Sequence, residues 1–162
     1  MKEISFLFLI FLLSNCSGNK VTADCTVPAP VAIFSNDIPE ISAHSFAIKD
    51  FVAKEAISFS NGVKLEIFQS GCEKIVQEFL FDVPSDQIES KLHTQQAIRQ
   101  LKFISSLGPK YMAFDQWAQA IQELEPAFFE SDEVEVVPGF VVRLDRIKGK
   151  NSSRILVRLS QN

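Results

Sequence analysis

The strongest constraint on the fold comes from two short segments on either side of Asn61-Gly62. The segments AISFS and VKLEIFQS both alternate apolar and polar residues. Alternation with a period of two is typical of a β-strand that buries one face. Asn-Gly tolerates the positive φ angles that a two-residue type I′ turn requires. The two segments are therefore predicted to form an antiparallel hairpin with this turn.

Further alternating segments extend the predicted sheet. In EKIVQEFLFDV, the residues Ile75, Phe79, Phe81 and Val83 fall on one face, and Gln77 interrupts that face. A polar residue in this position is predicted to have a hydrogen-bond partner or an edge position. Near the C-terminus, EVEVV precedes GFVVRLDRIKG and SRILVRLS, which alternate around a polar loop and predict a second hairpin.

Two helices are predicted between the two groups of strands. Apolar residues recur at helical spacing from Ile88 to Gly108, and residues 86–89 have the D-x-x-E form of a capping box. A shorter helix is predicted from Asp115 up to Pro126. The predicted order is β-β-β-α-α-β-β. This order predicts an α+β domain in which two helices pack on one face of an antiparallel sheet.

The N-terminus has the pattern of a secretory signal peptide. Only Ser5 is polar between Ile4 and Leu13, and Lys2 precedes this segment. Ten residues are far fewer than the ~20 that a membrane-spanning helix needs. We therefore predict that this segment targets the chain for export and does not span the membrane.

The chain is predicted to have three parts. Residues 1–15 form the signal peptide. Residues 16–32, which are polar and contain Pro28 and Pro30, form a tether. Residues 33–162 form a single globular domain, which is a normal size for one hydrophobic core.

Leu13-Ser14-Asn15-Cys16 resembles the lipobox of bacterial lipoproteins, in which an apolar residue stands three positions before a cysteine. In that family the cysteine is acylated with fatty chains such as palmitate and becomes the mature N-terminus. Ser17 is compatible, in that family, with sorting to the outer membrane. The resemblance thus implies an outer-membrane lipoprotein that faces the periplasm, anchored at Cys16. The alternative is cleavage after Ala23, which would give a soluble periplasmic or secreted protein.

Cysteine parity predicts one disulfide. With Cys16 acylated or removed, Cys25 and Cys72 remain as an even pair in an oxidising compartment. A bridge across a loop of this length stabilises a fold by ~4 kcal/mol in the chain-entropy model. Two separate thiols are the alternative. The two histidines, His44 and His93, have no zinc-ligand spacing with these cysteines, so neither a metal site nor a cofactor is predicted.

No catalytic residue is predicted. The chain contains no G-x-S-x-G, H-E-x-x-H, Walker or dinucleotide-binding motif. His44 is interpreted as a loop residue and His93 as a solvated or half-buried helix residue. The net charge of -4 does not favour nucleic-acid binding. The protein is therefore predicted not to be an enzyme.

The predicted partner-binding residues come from two features. Residues 113–138 contain acidic but no basic residues, whereas the closing hairpin is rich in bases. These bases are Arg143, Arg146, Lys148, Lys150, Arg154 and Arg158. The alternative is that they pair with the acidic segment. Of the adjacent Phe128 and Phe129, one ring is predicted to be exposed as a contact for a protein partner.

The predicted function is a non-catalytic, lipid-anchored envelope protein that binds a macromolecule. Small inhibitor, immunity and assembly-factor lipoproteins act in this way, and the partner is either a protein or an anionic envelope component. A carrier of a small apolar ligand is one alternative, because the chain has fifteen Phe residues. A hydrolase of unidentified type is the other.

Overall fold

A computed structural model describes residues 28–71, 74–88, 93–108, 114–148 and 152–161. Its strands are β1 Ile41–Lys49, β2 Val52–Phe59, β3 Lys64–Ser70, β4 Val76–Pro84, β5 Glu133–Val137, β6 Phe140–Lys148 and β7 Ser152–Gln161. Its α-helices are α1 His93–Ser106, α2 Phe114–Glu123 and α3 Glu125–Glu130, and a short 3₁₀ turn covers Ser85–Gln87. Over these ranges no helix has the length and apolar content that are needed to cross a bilayer.

All strands belong to one antiparallel sheet with the order β1-β2-β3-β4-β7-β6-β5. The first four strands follow one another as a meander. The chain then passes through the helices to the far edge of the sheet and returns through β5, β6 and β7. The last strand, β7, pairs with β4 along Val76–Pro84. This pairing joins the two groups of strands in the middle of the sheet. The basic hairpin of β6 and β7 is therefore central and not an edge.

The α+β class is confirmed, but the predicted order β-β-β-α-α-β-β is wrong in its counts of strands and helices. β1 was not predicted, because a register irregularity between Ile41 and Ala43 breaks the period-two alternation. The segment EVEVV forms a strand of its own at the sheet edge. The third helix begins around Pro126, which was expected only to end α2, although proline is well suited to the first turn of a helix.

The hairpin between β2 and β3 is confirmed, but its turn is not type I′. Only Gly62 has a positive φ, 87°, and the Phe59 N–H donates to the Val63 carbonyl at 2.9 Å. Residues 60–62 therefore form a three-residue connection. The two-residue turn with two positive φ angles lies instead between β1 and β2, at Asp50 (50°) and Phe51 (61°).

The hydrophobic core lies on one face of the sheet, and the helices pack against that face. From α1 it receives Ala97, Leu101 and Ile104, and from α2 it receives Phe114, Ala118 and Ile121. The strands contribute alternate residues, among them Ile57, Leu65, Phe79, Phe81, Val142, Leu144, Ile155 and Val157. The rings of Phe79 and Phe114 meet edge to face with centroids 5.4 Å apart, and Trp117 stacks on Phe140 at 4.5 Å. These contacts join the helices to both halves of the sheet.

The segment before β1 completes the cover of the core face. We call residues 31–38 the N-terminal strap. Ile33 and Phe34 of the strap are buried, and the Phe34 ring packs edge to face on Phe59 of β2 at 6.2 Å. The Gln69 amide donates to the Val31 carbonyl at 2.9 Å, and the Ser60 N–H donates to the Glu40 carbonyl at 2.8 Å. The strap therefore runs along the strands from one end of the sheet to the other.

The two ends of the sheet differ. We call proximal the end with the turns at residues 50–51 and 138–139, where β3 and β7 finish and β4 begins. The distal end has the turn at residues 60–62 and the connection from β6 to β7. Because Gln69 is next to the last residue of β3, the strap enters the fold at the proximal end.

The backbone conformation of Phe51 is expected to lower the free energy of unfolding. A positive φ costs a residue with a side chain roughly 1–2 kcal/mol, whereas Asn and Gly tolerate it. The Phe51 side chain is 41% exposed, so its removal loses little packing. We expect Phe51→Asn to leave the free energy of unfolding unchanged or to raise it by up to about 1 kcal/mol. Urea unfolding followed by circular dichroism measures this change.

Ile147→Asn is the matched control, because Ile147 is an exposed apolar residue in a regular strand. Asn is disfavoured in strands, so this control is expected to lose stability. A loss of stability in Phe51→Asn as large as in the control would contradict the expectation.

Candidate functional site

Glu55 is a fully buried carboxylate on the core face of β2, between Ala53 and Ile57. Its Oε2 accepts the backbone N–H of Ile33 at 2.8 Å, and its Oε1 accepts the backbone N–H of Phe34 at 2.9 Å. A buried charge is tolerated only when such partners replace water. The carboxylate thus binds the middle of the N-terminal strap directly to the sheet.

His44 supplies the third contact to this carboxylate. Its Nε2 lies 2.8 Å from Oε1 of Glu55, and its Nδ1 lies 2.6 Å from Oδ1 of Asn36 in the strap. Both ring nitrogens are therefore within hydrogen-bond distance of side-chain oxygens. These contacts join β1, β2 and the strap.

The arrangement of Glu55, His44 and Asn36 is suited to anchoring and not to nucleophilic catalysis. A catalytic histidine needs a free nitrogen beside a hydroxyl or thiol. Both nitrogens of His44 are engaged, and among the described residues no Ser, Thr or Cys side chain bonds to it. Ser35, the nearest candidate in the strap, donates its hydroxyl to Asp37. We therefore assign the Glu55 cluster a structural role.

His93 has a different environment. It is the first described residue of α1 and is half-buried. Its Nε2 is buried without a hydrogen-bond partner in the described part of the chain. No group of acidic, histidine or cysteine side chains within that part is placed to hold a metal ion.

The other face of the sheet has no helix against it in the described ranges, and we call it the helix-free face. The side chains that alternate with the core residues lie here. One row across the strands consists of Ser58, Lys64, Asp82, Arg154 and Ile147. A neighbouring row consists of Ser45, Ala56, Glu66, Leu80, Leu156 and Asp145. Charged and apolar side chains are thus mixed over this face.

A groove of about 400 Å³ lies at the β1 side of the helix-free face. Small residues form its floor, because Ala43 pairs with Ser58 and Ser45 pairs with Ala56. Longer side chains form its wall, namely Lys64, Glu66, Leu80, Asp82 and Arg154. Four adjacent small side chains beside taller ones produce a depression in an otherwise continuous sheet surface.

Asp82 is the least satisfied polar group of this wall. Its Oδ1 is buried and has no hydrogen-bond partner within the described ranges. Lys64 and Arg154 are its cross-strand neighbours on either side, and both are exposed. The groove therefore offers one acceptor between two cationic donors.

Three of the predicted cationic residues share the helix-free face. Arg143 and Arg158 lie directly opposite each other on β6 and β7, and Arg154 lies on the same face of β7. Arg146 falls on the core face and reaches the Ser153 hydroxyl at 3.5 Å. The Lys148 side chain and the whole of Lys150 lie outside the described residues. The predicted cationic ribbon is therefore divided between the two faces.

Two of these arginines are held by acidic residues outside the acidic segment that was considered as their partner. The Nε of Arg143 donates to Asp145 of its own strand at 2.9 Å, and Arg158 pairs with Glu78 of β4 at 3.5 Å. The hydrogen bond from Arg143 to Asp145, with the attraction between their charges, raises the pKa of Arg143 above its usual value. On the same face, Lys54 pairs with Glu66 at 2.7 Å.

The adjacent phenylalanines point in different directions. Phe128 is buried in the core, and Phe129 is 61% exposed on α3. The prediction that one ring is exposed is confirmed, although the segment is a helix. Phe129 is on the helical side of the sheet and is therefore separate from the helix-free face.

Several predicted sites lie outside the described residues. These are the lipidation site Cys16 and the disulfide pair Cys25 and Cys72.

Glu55 was missed by sequence reasoning, although its signal is present. In VAKEAISF, Glu55 shares its face with Ala53, Ile57 and Phe59, and a carboxylate on an apolar face indicates a buried charge with dedicated partners.

Comparisons with known proteins gave no match of this chain to a family model, to a characterised protein or to a solved structure.

Removing the Glu55 carboxylate is expected to destabilise the fold strongly. Glu55→Ala leaves two buried backbone N–H groups without their acceptor and removes the hydrogen-bond partner of His44, which costs about 3 kcal/mol or more. The matched control is Glu66→Ala, because Glu66 forms an exposed ion pair with Lys54 and such pairs contribute less than ~1 kcal/mol. Urea unfolding of both variants is the measurement. Equal losses in the two variants would show that the buried cluster is not an anchor.

Proposed function

We propose that the protein is a lipid-anchored, non-catalytic module of the bacterial envelope that binds a protein partner through the helix-free face of its sheet. One observation supports this most: the two faces of the sheet differ. One face has a groove and mixes polar and apolar side chains, whereas the opposite face is covered by helices and the strap. Such a body presents one broad surface for recognition.

The charge pattern of the helix-free face favours a protein over a simple polyanion. Three ion pairs place both signs of charge over the face: Arg143 with Asp145, Arg158 with Glu78 and Lys54 with Glu66. Alternating charges select for a surface with the complementary pattern and reject other partners by like-charge contacts. A polyanion is instead held by uninterrupted positive charge.

The groove supplies the central contact in this proposal. Hot spots in protein interfaces are side chains that fill a pocket surrounded by polar groups. The floor of Ala and Ser residues with Leu80 accommodates an apolar or aromatic side chain of the partner. Asp82, Lys64 and Arg154 at the wall accept and donate hydrogen bonds to the backbone of the same segment. These charged groups suit a protein side chain better than a wholly apolar ligand.

The absence of catalysis remains part of the proposal. Both nitrogens of His44 are used by Glu55 and Asn36, which leaves no free general base at that position. The lipid anchor rests on the resemblance of residues 13–16 to a lipobox. Together these features are those of a small outer-membrane lipoprotein that inhibits or assembles another envelope protein.

The anchor is tested by the mass of the mature protein after expression of the full chain in a lipoprotein-processing bacterium. We expect a polypeptide that begins at Cys16 and carries a diacylglyceryl group. Cys16→Ser is the control and is expected to keep the precursor mass. A mature chain that begins at Asp24 and carries no lipid would contradict the anchor and favour a soluble protein.

The binding face is tested by charge reversal. The double variant Arg143→Glu/Arg154→Glu changes exposed residues of the helix-free face, but it places like charges opposite Glu133 and Asp82, so a modest loss of thermal stability is expected and capture is measured well below the Tm of the variant. Capture of the partner from envelope extracts, after chemical cross-linking, is expected to fall at least about tenfold, because repulsion replaces complementary charge.

The matched control for this test is Arg99→Glu/Lys102→Glu, which makes the same charge change on exposed positions of α1. This control is expected to capture the partner as the wild type does. Equal capture by all three proteins, or equal loss in both variants, would contradict recognition through the helix-free face.

A further inference from the structure

Exposed apolar side chains are concentrated at the proximal end of the sheet. The described residues include eight large hydrophobic side chains that are exposed. Six of them lie at or beside the proximal end: Val31, Ile48, Phe51, Val52, Ile75 and Val137. Ile147 lies toward the distal end, and Phe129 lies on α3. Scattered exposure would not place six of eight at one end.

The N-terminal part of the chain leaves the domain at this same end. The Val31 carbonyl accepts a hydrogen bond from Gln69, which in turn accepts one from the Gln77 amide at 3.3 Å. Gln69 and Gln77 pair on β3 and β4 just before the proximal turn. The residues before Val31, which include Cys16, therefore start from the apolar end. The sequence predicted that Gln77 has a hydrogen-bond partner. This prediction is confirmed, and the partner is Gln69.

Ile75 differs from its predicted position. The alternation of EKIVQEFLFDV assigned it to the core with Phe79, but β4 begins only at Val76 and Ile75 is exposed at the proximal end, where its carbonyl accepts the Gln161 N–H at 3.1 Å. Phe51 occupies a turn position with a positive φ that Asn or Gly would adopt more easily. A bulky apolar residue thus occupies a turn in which the fold alone would favour a polar or small one.

Charges at the proximal end are compatible with an anionic surface. Lys49 and Lys74 are exposed beside the apolar residues. Among the described residues, the acidic groups of this end are Asp50 in the turn and Glu135, whose carboxylate accepts the Gly139 N–H at 2.7 Å. Lysines around an apolar patch are typical of surfaces that dock on anionic lipid headgroups.

We propose that the proximal end is a lipid-docking surface that inserts Phe51 and its apolar neighbours into the interface of the bilayer. This inference rests on the proposed lipid anchor. The fifteen residues from Cys16 to Pro30 extend to about 50 Å at most, so the tether alone permits many orientations. Docking of the proximal end selects one of them. The strands then rise from the bilayer, and the helix-free face stays accessible to a partner.

The test uses the full-length, processed lipoprotein in vesicles of phosphatidylethanolamine and phosphatidylglycerol whose acyl chains carry bromine, which quenches tryptophan on contact. Phe51→Trp places a reporter at the proximal end, and Ile147→Trp places a matched reporter toward the distal end. Trp117, the sole native tryptophan, is a background shared by both variants. Both positions are exposed, so neither reporter disturbs the core.

We expect about twofold quenching of the reporter in Phe51→Trp and none above background in Ile147→Trp, because interfacial segments reach the acyl boundary at ~5–10 Å depth. Vesicle flotation in the same preparation reports the anchor separately. Flotation without selective quenching at position 51 would overturn docking and leave the anchor intact. Failure to float would overturn the anchor and this inference with it.

Discussion

The rest of the structure depends on how the charge of Glu55 is compensated. A carboxylate on the core face of a strand has no access to water, so the fold must supply donors from another segment. The strap supplies two backbone N–H groups and β1 supplies His44. Because these donors are fixed in space, the strap has one position along β2. The position of the strap in turn fixes the end of the sheet at which residues 28–30 enter the fold.

The strand order determines which charges meet on the helix-free face. Since β7 returns to pair with β4, the basic hairpin is inserted into the middle of the sheet and its arginines face β4 and each other. Arg158 therefore pairs with Glu78, which is far away in sequence. In the described ranges, Glu133 is the one residue of the acidic segment that lies directly opposite one of these bases, Arg143. A meander in sequence order would have left the same hairpin at an edge. The mixed face is a consequence of topology more than of local charge.

The sequence predicted those features that depend on local periodicity and missed those that depend on tertiary pairing. The strands around Asn61 and the helix through Leu101 were predictable, because apolar residues recur on one face of each with the period of a strand or of a helix. β1 was not, since its irregularity after Ile41 shifts the pattern and its core-facing residues include His44. The groove was also out of reach, because four small residues on two strands form a floor only when the register places Ala43 beside Ser58. Pairing register is not encoded in either strand alone.

The two ends of the sheet obey different requirements. At the distal end, Gly62 takes the positive φ in the turn after Asn61. The residues of this turn therefore follow backbone preference. At the proximal end, Phe51 takes a positive φ and remains 41% exposed, so neither backbone preference nor burial explains the residue. A residue that opposes both local energy and burial indicates a requirement outside the folded domain. The strap brings residues 28–30 to this same end, so the exposed ring of Phe51 and the N-terminal entry of the chain into the fold share one side of the domain.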